Sequence, residues 1–264
     1  MNTIDIQEIM DYAKCPMYYA FKYKYQEHKT DYVNIIEKYN DDVHKVIYYS
    51  FSKVQDGLPM RIEDIKVAWG RAWIKDKRKN SLIFSDTPSN KDIYNDKRKR
   101  GFDSLVAFHK AFSKDPGFPV MINEEYKLNI SSNLILTGRY EVVRELEDEL
   151  CNKYLEVSIF KTDDCSNNSI NNLYDLKLIA SSLAISNDVE YNNKKYVIYN
   201  VDKKKTFYLK DIQLHEKLFR KNILNIYKCI YNKIYYICPS EKCITCTYKE
   251  VCNNMENISE ILSN

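Results

Sequence analysis

Three cysteines near the C-terminal end constrain the fold of this chain more than any other feature. Cys243, Cys246 and Cys252 are separated by two and then by five residues. Cysteines that serve only to fill a hydrophobic core are rarely so close together in sequence, whereas this spacing is typical of a metal or iron–sulphur site. Such a site needs a fourth ligand, and the best candidate is Cys15, which lies near the other end of the chain and precedes a proline. A cysteine site made of these four residues would hold the two ends of the chain together.

The expected cellular compartment affects how the cysteines are interpreted. The sequence has no run of about 18 apolar residues and no secretory leader at its beginning. We therefore expect a soluble protein with no membrane partner, in the cytoplasm or elsewhere inside a cell, which is the host cell if the protein is viral. Disulfides are rare in reducing compartments, so the clustered cysteines favour metal binding. Cys151, Cys165 and Cys229 lie apart and are expected to be ordinary thiols.

The charge of the chain is unevenly distributed. The net charge is only +3, although lysine and arginine together number 40. The densest basic run is Lys97, Arg98, Lys99 and Arg100. This run predicts either the solvated start of a helix or a surface that contacts nucleic-acid phosphates.

Hydrophobic periodicity divides the chain into a helical part and a part with strands. Apolar residues at three- and four-residue spacing predict helices over residues 5–25, 33–54, 62–74, 91–110, 171–186 and 211–236. Pro16 either kinks the first helix or begins a second one. Short alternating or apolar runs predict strands over residues 120–130, 134–143, 154–161 and 196–201.

This order of elements predicts an α/β fold with a small mixed sheet flanked by helices. The length fits one domain, residues 1–264. Within it, residues 1–115 are mainly helical, residues 116–205 form the sheet, and residues 206–264 contain a closing helix and the cysteine cluster.

Two cysteine motifs carry a resemblance to a known family. Cys15-Pro16-Met17-Tyr18-Tyr19 lies in the first predicted helix. A Cys-x2-Cys-x5-Cys motif, formed by Cys243, Cys246 and Cys252, lies near the C-terminal end. With this order of elements, the chain resembles the RecB-like branch of the PD-(D/E)XK nuclease superfamily over nearly its whole length. The resemblance is to the iron–sulphur members, namely AddB-type nuclease domains and CRISPR-associated RecB-like exonucleases. It implies a 4Fe–4S cluster at the cysteine site, for which zinc is an alternative because zinc also takes four thiolates. Cys238 is left out of the ligand set.

The resemblance also implies a catalytic site that binds Mg²⁺ or Mn²⁺. His44 matches the helical histidine that ligates the metal. Glu141 stands at the acidic position of the Gly-x-x-Asp strand that begins at Gly138, and Lys161 matches the lysine of the Asp/Glu-x-Lys strand. Glu141 and Lys161 are thus the implied catalytic residues, and His44 and Glu141 the implied metal ligands.

Several positions depart from the family pattern. Ile159 occupies the acidic position of the Asp/Glu-x-Lys motif, Lys177 and Ser181 replace the residues of the Gln-x3-Tyr motif, and Asn40 replaces a helix glycine. A hard divalent cation needs oxygen ligands, which isoleucine cannot provide.

A displaced carboxylate could replace the one missing at residue 159. Glu156 is near in sequence, but side chains alternate along a strand, so it points to the opposite face unless a β-bulge intervenes. The remaining candidates are Glu125, one strand earlier, and Asp175, on the following helix.

Together these features predict a protein that binds DNA ends or single strands and has weak or no nuclease activity. One alternative is an active Mg²⁺- or Mn²⁺-dependent DNA exonuclease that uses a displaced carboxylate. A further alternative is a zinc-stabilised protein-interaction module. The expected partners are DNA and a helicase or another protein subunit.

Overall fold

The computed structural model describes residues 1–25, 33–74, 82–83, 90–162, 171–188, 193–209, 212–240, 243–244 and 246–253. Cys165 lies outside these residues. In chain order the elements are β1 (Asn2–Asp5), α1 (Ile6–Lys14), α2 (Pro16–Tyr23), β2 (Val33–Asn34), α3 (Ile35–Gln55), α4 (Ile62–Ile74), β3 (Leu82–Ile83), α5 (Asn90–Phe112), β4 (Phe118–Ile122), β5 (Glu125–Ser131), β6 (Leu134–Arg139), β7 (Val142–Glu147), β8 (Lys153–Lys161), α6 (Asn171–Asp188), β9 (Lys194–Asn200), β10 (Lys205–Tyr208), α7 (Ile212–Tyr231) and α8 (Lys249–Asn253).

The larger of the described sheets has five strands in the order β10-β9-β8-β7-β4. Strands β8 and β9 are parallel, and the other neighbours are antiparallel. The parallel pair needs a long crossover, which contains α6. A three-stranded sheet has the order β1-β6-β5, in which β1 is parallel to β6. The chain passes from β6 in the smaller sheet to β7 in the larger one through Tyr140 and Glu141.

The architecture of the described residues is therefore mixed α/β, with two small mixed sheets flanked by helices and a short β2–β3 pair. This confirms the predicted α/β class, but the expectation of a single sheet was wrong. The predicted strand 120–130 is divided at Asn123, whose φ is +52°, and the predicted strand 134–143 is divided at Tyr140. Strands β1 and β10 were missed because four residues are too few to show a period.

Helices α1 and α2 are separate because of the residues at their junction. The side chain of Asp5 caps α1 by accepting the N–H of Gln7 at 2.7 Å. Cys15 is extended, with φ −166° and ψ 115°, and Pro16 is the first residue of α2, where its lack of an N–H costs nothing. Pro16 thus begins a second helix, and Cys15 lies between the two.

Two hydrophobic cores lie on opposite faces of the larger sheet. One contains Ile159 with residues of α1, α6, α7 and both sheets. The other contains Phe160 with residues of α3, α4 and α5. Adjacent residues of β8 therefore belong to different cores, as strand alternation requires. Among the described helices, none combines the length and the apolar composition that crossing a membrane requires.

Candidate functional site

Ile159 lies in a hydrophobic core. Its side chain is 1% exposed and packs in the core with Leu155 and Val157. Strand β8 pairs with β7 from Lys153 to Ser158 and with β9 from Leu155 to Lys161, and neither pairing has a register shift. No bulge in this stretch therefore turns Glu156 toward the face of Ile159, and the position of the missing carboxylate is filled by packed hydrocarbon.

Glu156 forms a buried ion pair on the opposite face. Arg144 donates to its Oε1 from Nε at 3.0 Å and from Nη2 at 2.8 Å. Ser158 and Tyr199 also donate to this carboxylate, at 2.8 and 3.1 Å. Both charged side chains are about 5% exposed. Because it is buried on the face opposite Ile159 and paired with Arg144, Glu156 is a structural residue and does not replace the missing carboxylate.

The other two proposed replacements do not supply that carboxylate either. Glu125 is exposed and pairs with Arg139 at 2.5 Å on the smaller sheet. The side chain of Asp175 lies outside the described part of the chain. Sequence reasoning overlooked Asp41, which lies one helical turn before His44 and interacts with it electrostatically.

Glu141 is buried where the chain passes between the two sheets. Its side chain is 2% exposed and accepts the backbone N–H of Phe160 at 2.7 Å. The ammonium of Lys177, on α6, donates to the other carboxylate oxygen. Burial by itself raises the pKa of Glu141, but Lys177 and His44 outweigh burial and lower it to about 2. Glu141 is therefore an anion at neutral pH.

His44 faces two backbone carbonyls. Nδ1 lies 2.7 Å from the oxygen of Asn40, and Nε2 lies 2.8 Å from the oxygen of Phe160. A carbonyl oxygen only accepts, so this arrangement suits the protonated imidazolium, in which both ring nitrogens donate. Burial lowers the pKa of His44, but Glu141, whose Oε2 is 3.6 Å from Nε2, raises it and the net direction is upward.

His44, Glu141 and Lys177 together form what we call the ion cluster, with two cations and one anion. The Mg²⁺ or Mn²⁺ that the resemblance implies does not fit it. A ligating histidine needs a ring lone pair, which His44 lacks when both nitrogens donate. Glu141 is already neutralised by an ammonium, and Ile159 offers no oxygen. Lys161 ends β8 and is buried, in register with Asn200.

The described cysteines of the cysteine site lie where the two ends of the chain meet. The hydroxyl of Tyr12 donates to the carbonyl of Ile234 at 2.6 Å, and the N–H of Met17 donates to the carbonyl of Tyr236 at 3.2 Å. These bonds join α1 and α2 to the segment that follows α7. Cys238, in the same segment, is exposed.

A small apolar cluster contains three of the four proposed ligands. Cys15, Cys246 and Cys252 pack against a buried cluster that includes Phe21 and Tyr248, whose ring centroids are 5.4 Å apart. Burial raises the pKa of the Cys246 and Cys252 thiols, and the neighbouring cysteines, including Cys243, raise it further. The donors needed for four-thiolate coordination are thus gathered in one region. Within the described ranges, no three or more His, Cys, Asp or Glu side chains are arranged as a metal site.

The basic run on α5 does not form one surface. Consecutive helical residues point about 100° apart, so four of them face different directions. Lys97 lies over the ring of Tyr39 at 5.6 Å, and Arg100 pairs with Asp202 at 2.8 Å. Lys99 and Arg100 border a cleft beside the turn after β9, whereas Arg98 is exposed.

A comparison of the sequence with models of known protein families and with curated proteins finds no match.

Proposed function

We propose that this protein is an iron–sulphur relative of the RecB-like PD-(D/E)XK nucleases that binds DNA ends or single strands without efficient cleavage. One observation carries the proposal. Glu141, the residue matched to a metal-binding acid, accepts a salt bridge from Lys177, the residue matched to a family glutamine. By the resemblance, the carboxylate of Glu141 would ligate a divalent cation, and in the ion cluster it is neutralised by the ammonium of Lys177 instead.

The electrostatics of the ion cluster favour binding over hydrolysis. Its two cations and one anion give it a net charge of about +1 when His44 is protonated. His44 and Lys177 are 18% and 22% exposed, so both reach solvent from a largely buried site. Such a site attracts a phosphate, but it lacks the ligands that would hold a divalent cation and generate hydroxide.

The cysteine site supports the iron–sulphur part of the proposal. The negative charges of neighbouring thiolates repel one another, which raises the pKa of each thiol. A metal centre bound by all of them would offset this repulsion with its positive charge. A 4Fe–4S cluster held by Cys15, Cys243, Cys246 and Cys252 would link α2 to the last described helix. Zinc bound by the same thiolates remains the alternative cofactor.

The test compares binding and cleavage in the same samples. Wild-type protein is incubated with end-labelled single-stranded and double-stranded DNA in Mg²⁺, in Mn²⁺ and in EDTA. We expect binding in all three conditions, because phosphate contacts need no metal, and no product on denaturing gels. The Glu141→Gln variant, like wild-type protein, should give no cleavage product.

Two outcomes would contradict the proposal. Metal-dependent cleavage that disappears in Glu141→Gln would establish the exonuclease alternative, and its loss in Asp41→Asn as well would identify Asp41 as the displaced carboxylate. Absence of binding to any DNA, together with one zinc per chain, would favour the protein-interaction module.

A further inference from the structure

The hairpin of β9 and β10 carries a basic turn that sequence analysis did not single out. Lys203, Lys204 and Lys205 are consecutive and all exposed, and we call them the lysine turn. Lys204 has a φ of +55°, and the N–H of Lys203 donates to the buried side chain of Asn200 at 2.8 Å. The turn therefore has a defined backbone conformation.

Asp202 fixes the lysine turn to the helical layer. Its side chain is 4% exposed and accepts from Tyr39 at 2.8 Å and from Ser104 at 2.6 Å. Arg100 donates to its other oxygen at 2.8 Å. These bonds come from α3 and α5, so the turn and the basic part of α5 are held beside each other.

A cleft of about 470 Å³ lies between α5 and the lysine turn. Lys99, Lys203 and Lys204 line it, together with Asp96 and Asp103 on the helix side. On the helix side, Asp96 and Asp103 are offset by Lys99 and Arg100. The excess positive charge of the cleft therefore lies on the turn side, at Lys203 and Lys204, and favours a phosphate there.

Strand β10 adds exposed aromatic rings next to the lysine turn. It is an edge strand, and each of its four residues is exposed, with Phe207 at 51% and Tyr208 at 61%. Tyr208 pairs with Val197 and Phe207 with Ile198. Directly opposed residues share a face, and Ile198 belongs to the core of α6 and α7. Phe207 is thus on that face, and Tyr208 is on the face of α5 and the cleft.

We propose that the lysine turn and Tyr208 form a binding site for single-stranded nucleic acid, with phosphates on the lysines and one base stacked on Tyr208. At about 3.3 Å per residue, Tyr208 lies about 13 Å along the strand from Lys204, within the span of a short single strand. Lysine contacts combined with an exposed ring are the general means by which proteins bind single strands without reading sequence. This inference rests on the proposed function and locates its binding surface.

The test uses a fluorescent single-stranded DNA oligonucleotide in EDTA, with affinity measured by anisotropy over a series of salt concentrations. Tyr208→Ala should weaken binding by about 5- to 150-fold, the range expected for loss of one base stack. Phe207→Ala is the matched control, because it removes an equally exposed ring from the other face of the same strand, and it should bind like wild type.

A second set of variants tests the phosphate contacts. Changing Lys203 and Lys204 to glutamine should lower the slope of log affinity against log salt by about 1.4, since each single-strand phosphate contact contributes about 0.7. Lys205 is left unchanged because it shares the face of Phe207. The matched control changes two exposed lysines of α7 to glutamine, namely Lys217 and Lys221. This control changes the net charge by the same amount as the lysine-turn variant. It should leave most of the slope of log affinity against log salt intact.

The outcomes separate this inference from the proposed function. If wild-type protein binds and both hairpin variants bind equally well with the same slope, the hairpin is not the site, while DNA binding stands. If the hairpin variants and their control variants lose DNA affinity to the same extent, the inference is also overturned. If wild-type protein binds no DNA, the proposed function fails as well.

Discussion

Replacing Lys177 with methionine tests whether an internal ammonium is the counter-ion of Glu141. Lowering a carboxyl pKa from 4.5 to about 2 corresponds to about 3 kcal/mol of favourable interaction, to which Lys177 and His44 both contribute. Removing one partner of a fully buried pair costs about 3–5 kcal/mol. Because Lys177 is 22% exposed, water partly screens the pair, and we expect Lys177→Met to lower the free energy of unfolding by about 2–3 kcal/mol at pH 7.

The pH dependence of this loss identifies its cause. The folded pKa of Glu141 lies below its ordinary value, so its contribution is fully present above about pH 4.5 and is lost as the pH falls toward about 2. Without Lys177 that pKa rises, and the protein should lose stability earlier during acidification. The difference between wild type and Lys177→Met should be largest near neutral pH and should shrink in acid, where Glu141 is protonated in both proteins.

Urea unfolding followed by circular dichroism provides the measurement, with Glu141→Gln and the double variant completing a mutant cycle. A coupling energy of about 2 kcal/mol between Glu141 and Lys177 is expected. The reasoning would be refuted by a cost below about 0.5 kcal/mol at pH 7 or by a coupling energy near zero, since a surface pair behaves in that way.

Three further predictions concern the metal and the buried ion pair. Protein purified without oxygen should be brown and should contain about four irons per chain, whereas colourless protein with one tightly bound zinc would contradict the iron–sulphur proposal. Cys15→Ser and Cys246→Ser should lower the metal content and the melting temperature to a similar extent, with exposed Cys238→Ser as the mild control, and unchanged metal content in Cys15→Ser would exclude Cys15 as a ligand. Glu156→Gln should cost about 3 kcal/mol of unfolding free energy because it leaves the buried charge of Arg144 without an anion, and a cost below about 1 kcal/mol in urea melts would show that the pair is not effectively buried.

Local periodicity predicted much of the fold and part of the site. The alternation of β8 correctly separates Ile159 from Glu156, because side-chain direction in a strand depends only on position. The break at Pro16 also follows from local chemistry, since proline tolerates the first turn of a helix but not its interior.

Contacts between distant segments could not be predicted in the same way. The pairing of Lys177 with Glu141 spans 36 residues and depends on how α6 packs against the larger sheet. A lysine at the position of a family glutamine, opposite a glutamate, is the one sequence feature that could have suggested it. The spread of residues 97–100 around α5 was predictable from the helical period, but the fixing of Arg100 by Asp202, 102 residues away, was not.

The parallel pairing of β1 with β6 has a consequence for the order in which the chain is assembled. Asn2 pairs with Leu134 and Asp5 with Thr137, so the first strand of the smaller sheet has no partner until more than half of the chain has been synthesised. Until then β1 and the apolar side chains of α1 remain available for incorrect contacts. Contacts of such large sequence separation also slow folding. We therefore expect newly made chains to depend on holding by chaperones.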